Sequence, residues 1–291
     1  DLLAAINGSP TQGFGYTTLM TNNGKMVNRG VEITLSGEII RQKDFSWNAS
    51  LLYAFNRNKV KHISVQPSLW DSRISMPTSY PMVGKPLYGI YAYKWAGLNE
   101  NGDPQVYDAE NNVTSGPARD YHALVYCGTT VPIHNASLTN VLRYKGFEFS
   151  AMLILDAGHK LRSSNIPSIN MSNGRITSTA KGIVDRWTQP GDVTDVPRLL
   201  FSNDTENFNT HRTELYRYSD LFVYDASNIR LSNISLAYRV PAHWCKKISL
   251  SGARLQFNVE NVATFAFDSK ANYDLGGKVK PNYVWGLYLN F

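Results

Sequence analysis

The stretch YGIYAYKWAG, residues 88–97, gathers Tyr88, Tyr91, Tyr93 and Trp95 into one short run. Rings at that density can stack on sugar rings or on peptide side chains. They can equally hold a loop hairpin together, and Asn101-Gly102 just beyond supplies the turn that closes one. A second group places Arg186-Trp187 beside Gln189-Pro190-Gly191-Asp192. A guanidinium next to an indole can contact substrate or a partner protein, and Pro-Gly chemistry also makes a rigid loop turn. Asp103, Asp108 and Glu110 lie near Asn101 but lack the ligand spacing of a calcium loop, so they read as a solvated acidic loop. The 6 histidines are scattered, with no HExxH, and neither a GxSxG elbow nor a Gly-rich phosphate loop occurs. Cys127 and Cys245 have no CxxC or Cys/His spacing and read as unpaired residues. Binding, not catalysis, is the chemistry these residues support. No enzyme activity, metal or cofactor is expected.

The elements around these groups are strands. VEITLSGEI at 31–39 puts Val31, Ile33, Leu35 and Ile39 on one face and Glu32, Thr34, Ser36 and Glu38 on the other. After the polar link 42–44, FSWNASLLYAF at 45–55 alternates again, which predicts a hairpin. The unit recurs across 136–158, with Lys145-Gly146 as its turn and Asn140 interrupting the apolar face. In 227–240 the alternation changes phase near Ser232-Asn233, the mark of a bulge. Strict alternation returns at 253–261 and at 283–291. Seven strands are thus expected, with 1–5 as the end of an eighth. Long polar stretches at about 7–27, 58–133, 158–220 and 264–281 alternate with the short links 42–44, 145–146 and 240–251. In an antiparallel up-and-down sheet, that rule puts all short turns at one end and all long loops at the other.

Composition says which solvent meets the apolar face. Across 291 residues, 43% are hydrophobic, 18% charged and 12% aromatic, with a net charge of +6. No dense Lys/Arg block marks a nucleic-acid partner. No apolar run reaches the ~18 residues of a membrane helix, and the first residues do not form a signal peptide. The apolar faces are aromatic near strand ends (Phe45, Trp47, Tyr53, Phe55; Tyr283, Trp285, Phe291), as in barrel girdles at headgroup level. The opposite faces carry Glu32, Glu38, Arg143, Asp156, Arg254 and Glu260, suited to an aqueous lumen where they pair across strands or touch substrate. The expected fold is all-β, a segment of an antiparallel transmembrane β-barrel in contact with outer-membrane lipid. The alternative is a soluble or surface-exposed β-sandwich that binds glycans; a third reading is a small stand-alone eight-strand barrel.

The stretches 28–60, 83–108, 186–198, 226–241 and 256–265 resemble, in order, the C-terminal barrel portion of the SusC/RagA family of TonB-linked (TonB-dependent) outer-membrane transporters. The resemblance implies about seven or eight strands of a roughly 22-stranded barrel, with residues 1–291 as one barrel section and the plug and earlier strands outside it. It further implies location in the bacterial outer membrane and import of large nutrients, either glycan oligosaccharides or peptides. The partners implied are a SusD-like surface lipoprotein and the TonB complex. Tyr91, Tyr93, Trp95, Arg186 and Trp187 become candidate substrate-binding residues in the outer loops. The end pattern containing Trp285, Gly286, Leu289 and Phe291 resembles a barrel-assembly signal, with Val284 where a polar residue is usual. Expressed alone, residues 1–291 are expected to partition into detergent or aggregate; a monomer stable in plain buffer, seen by size-exclusion chromatography, is the result a sandwich requires.

Overall fold

A computed structural model describes residues 2–7, 18–64, 72–116, 120–171, 180–201, 210–276 and 280–291. Asp1, residues 8–17 of the first polar stretch, and 65–71, 117–119, 172–179, 202–209 and 277–279 of the later ones lie outside the described residues. The chain divides into two compact units. One holds residues 29–57, 132–159 and 225–291; the other holds 1–28, 58–131 and 160–224.

The dominant element is an eight-stranded antiparallel sheet with neighbours in sequence order. Its strands are β1 (Leu2–Asn7), β2 (Thr18–Arg41), β3 (Phe45–Ile63), β4 (His134–Tyr144), β5 (Phe147–Ala157), β6 (Asn228–Arg239), β7 (Gly252–Ala266) and β8 (Asn282–Asn290). The boundary between the units falls within β2 and β3. Up-and-down order makes the short links 42–44, 145–146 and 240–251 fall at one end of the strands and the long connections at the other, as the spacing predicts. The sheet is open, with β1 and β8 as its edges. Several differences from the sequence reading concern length: β3 runs on to Ile63 and β7 to Ala266, both into stretches read as polar loop. β2 starts at Thr18, inside the stretch read as polar loop, because its early residues form a ladder with β1. The link 240–251 contains a helical turn, Ala242–Lys246, that buries Cys245.

Register explains the alternation. Trp47 faces Leu142, which faces Phe149, then Leu236, Phe257 and Trp285, one apolar row across six strands. A parallel row runs Leu51, Leu138, Leu153, Leu231. Ser232 is the extra residue where β6 breaks register with β5, so Ile229 and Leu231 share a face with Ile234 and Leu236 despite their opposite phases; against β7 the register breaks at the same level, with Asn261 and Val262 opposite Ser232. At the β4–β5 turn, Lys145 takes φ 52° beside Gly146, the positive-φ geometry of a two-residue hairpin. A side chain on Gly146 would also strike the Arg239 carbonyl oxygen at 2.8 Å.

The apolar face is exposed, not stacked on another layer. Leu35 is 61% exposed, Leu287 62% and Trp285 78%. A sandwich buries such residues between its sheets, so that reading is set aside. The opposite face is polar and internally paired. Glu148 accepts from Arg143 at 2.8 Å and from Arg254 at 3.1 Å; Asp156 accepts from Asn135 at 2.7 Å and faces Arg230 at 3.5 Å. An exception on the apolar face, Asn140, accepts a hydrogen bond from the Trp47 indole N–H at 3.1 Å. An amide in hydrocarbon requires such a partner. These observations make the sheet a section of transmembrane barrel wall. Leu153→Arg, central on the apolar face, is expected to cost about 2–4 kcal/mol in urea unfolding of the complete barrel in liposomes, and Gln256→Arg, on the polar face, under about 1 kcal/mol.

Candidate functional site

The residues singled out for chemistry in the loops fall in the second unit. Gly89–Tyr93 pairs antiparallel with Leu124–Thr129, and its alternate residues enter a core. Tyr91 and Tyr93 are 1% and 0% exposed and pack with Val106, Ala123, Leu124 and Leu215. The Tyr91 hydroxyl accepts from the Met82 backbone N–H at 3.1 Å, and burial raises its pKa. Tyr88 stays exposed at the rim of this strand. Trp95 is half-buried: its indole N–H donates to Asp195 Oδ1 at 2.8 Å and its ring lies 5.9 Å from that of Tyr216. The hairpin expected here forms between Trp95–Leu98 and Pro104–Tyr107. Asn99 Oδ1 accepts from the N–H groups of Asn101 and Asp103, and Gly102 adopts φ +74°.

That turn is also where the second sequence group arrives. A β-carbon on Gly102 would sit 2.4 Å from the Trp187 ring, so only glycine admits the indole there. Trp187 borders an open groove of about 410 Å³ shared with Glu100 and the 190–194 turn. Asp192 Oδ2 caps that turn by accepting from the Thr188 hydroxyl and N–H (2.8 Å each) and from the Gln189 N–H, which lowers its pKa. Arg186 donates to the Ile183 carbonyl at 3.3 Å. Trp187 and Trp95 are therefore brought near one surface turn, while Tyr91 and Tyr93 lie in the core beneath. The four residues of the end pattern lie on β8 or just after it, with Trp285 and Phe291 78% and 91% exposed.

Sequence reasoning missed the pair of arginines that tie this unit together. Asp103 accepts from Arg198 Nε at 3.1 Å and Nη2 at 2.8 Å, and from Arg212 Nε at 3.1 Å. Arg212, 3% exposed at its side chain, also donates to the carbonyls of Ile169 and Arg198 and to Asn170 Oδ1. One carboxylate thus joins the aromatic hairpin, the 186–198 segment and the helix Thr210–Arg217. Asp103 is no solvated loop acid. Its partners sit 95 and 109 positions away, a separation that carries no local signal. Burial lowers the Arg212 pKa and Asp103 opposes that shift. Behind this knot lies a cavity of about 520 Å³ bounded by Arg162, Tyr216, Arg217 and Tyr218 with several hydroxyl side chains. Cys127, a free thiol nearby in sequence to these strands, is pushed up to about 11 by burial and by Asp220, so it is protonated at neutral pH.

A barrel-wall sheet whose loop connections fold into a separate unit with an aromatic core and a buried arginine knot defines a membrane β-barrel with elaborated outer loops. The relatives agree. No family model matches the chain. It is 24% identical over 294 aligned residues to TonB-dependent receptor P3 of Formosa agariphila, covering 94% of this chain and 28% of that protein. It is 22% identical to TonB-dependent receptor SusC of Bacteroides thetaiotaomicron, covering 86% of this chain and 24% of SusC. Among solved structures, the RagAB peptide transporter superposes with TM-score 0.73 at 20% identity, covering 99% of this chain and 32% of that one. The resemblance to SusC/RagA TonB-dependent transporters therefore extends over most of this chain, which spans about a quarter of the length of the curated relatives it matches. Asp103→Asn, which strips the counter-charge from buried Arg212, is expected to cost about 3 kcal/mol, whereas Arg198→Gln should cost about 1 kcal/mol, both read by thermal unfolding of the loop unit within the complete receptor.

Proposed function

We propose that this chain is a wall section and part of the outer loops of a TonB-dependent importer in the bacterial outer membrane. The observation that carries the reading is the pair of faces on the sheet: exposed apolar rows on one, ion-paired polar residues on the other. Hydrocarbon cannot solvate an open sheet edge, so β1 and β8 join further strands of a larger closed barrel, which also encloses a plug. The cargo is a large nutrient, a glycan oligosaccharide or a peptide. A SusD-like surface lipoprotein closes over the outer loops, and the TonB complex supplies energy through the plug.

Within this scheme Trp95, Arg186 and Trp187 contribute to the surface offered to cargo or lid. Tyr91 and Tyr93 act from below, holding the loop unit rigid. Binding followed by passage is the role that fits the loop residues described. The test is fractionation and uptake with the complete tagged receptor. It is expected in the outer-membrane fraction, co-purifying with a lipoprotein, and collapsing the proton gradient is expected to stop uptake while leaving cargo binding intact. Recovery of the receptor in the soluble fraction, or uptake indifferent to the gradient, refutes the proposal.

A further inference from the structure

We propose that the cavity bounded by Arg162 and Arg217 is a subsite for an anionic saccharide unit, an inference that rests on the importer reading above and narrows its cargo. Its volume of about 520 Å³ falls in the range of small-molecule sites. Two guanidiniums border it, and none of its described lining residues is acidic.

Arg162 is held in place by neutral groups. Its Nη1 donates to the carbonyls of Arg217 at 3.3 Å and Ser219 at 3.2 Å, and its Nη2 to the Tyr91 carbonyl at 2.7 Å. Those three bonds fix its orientation and leave its charge uncancelled and part of its donor fork free. Among the described residues, neither Arg162 nor Arg217 is ion-paired. Instead, both stand over the Tyr218 ring, at 5.4 Å and 5.7 Å from its centroid. Burial lowers the Arg162 pKa and the neighbouring Arg217 charge adds to that effect. Two cations with no ion-pair partner among the described residues, at a recess with low-dielectric walls, focus a positive field into it, and a guanidinium offers paired donors to a carboxylate or sulfate. A partly buried charge without a counter-ion is costly, and Arg162 is one. Here the counter-ion is an anion that arrives with the cargo.

The rest of the lining favours a sugar over a peptide as carrier of that anion. Ser163, Ser168, Asn170 and Thr213 present hydroxyl and amide groups, and hydroxyls both donate and accept, as sugar hydroxyls do. Ser168 and Asn170 are pre-positioned: the Ser168 hydroxyl donates to the Asn170 carbonyl at 3.2 Å, and the Asn170 side chain bridges Thr213 and Arg212.

The experiment uses the complete receptor in detergent and three probes: a galacturonate tetramer, the neutral galactose tetramer and tetra-aspartate, titrated by calorimetry. Tighter binding of the uronate than of the neutral sugar by about tenfold is expected, lost in Arg217→Gln and largely kept in Arg217→Lys. Arg217 is exposed at the end of its helix, so these variants fold; Arg162 is left intact because it ties three carbonyls. Equal binding of both sugars, or a preference unmoved by Arg217→Gln, overturns the anionic subsite while the importer reading stands. Tetra-aspartate binding tighter than the uronate overturns the saccharide assignment. Binding of none of the three overturns the subsite, and the importer reading is then judged separately by outer-membrane location and gradient-driven uptake.

Discussion

Hydrocarbon offers no hydrogen bonds, and that constraint governs this molecule. Each backbone N–H and C=O at membrane depth must be met by another strand, so the chain that carries the outer loops is first of all a ladder. The same constraint reaches the side chains. The apolar rows from Trp47 to Trp285 run unbroken across six strands. An amide on that face, Asn140, is answered by the Trp47 indole N–H. Even the bulge at Ser232 serves it, because one residue extra to the β5 ladder restores the apolar phase that the sequence of β6 would otherwise lose.

Charge is handled oppositely in the two units. On the polar face of the sheet, Glu148 lies between Arg143 and Arg254, so carboxylates and guanidiniums balance locally. In the loop unit, Asp103 is shared by two arginines, and Arg162 and Arg217 are satisfied by carbonyls and a tyrosine ring. The first arrangement is neutral and suits a wall. The second leaves positive charge beside a recess, which suits recognition of something brought from outside.

The aromatic residues divide along the same line. Trp285 and Phe291 are largely bare, as rings near a membrane interface are. Tyr91 and Tyr93 are sealed in a core, although their run in the sequence looks no less like a binding platform. Ring density by itself does not distinguish a platform from a pillar, because both uses reward the same large, flat, partly polar side chains.

What the sequence determined by itself was what depends on neighbours two residues apart or on the next strand along: the central part of each long strand, the two faces, the turn at Lys145-Gly146, the phase change in β6 and the alternation of short and long connections. Those features are local because a strand's period and a hairpin's turn are set within a few residues. Tertiary structure decided the burial of Tyr91 and Tyr93, the sharing of Asp103 between Arg198 and Arg212, and the gathering of Arg162, Arg217 and Tyr218 at one cavity. The long loops carry no periodicity to read, and their contacts close over tens to more than a hundred positions, where only the folded chain brings the partners together.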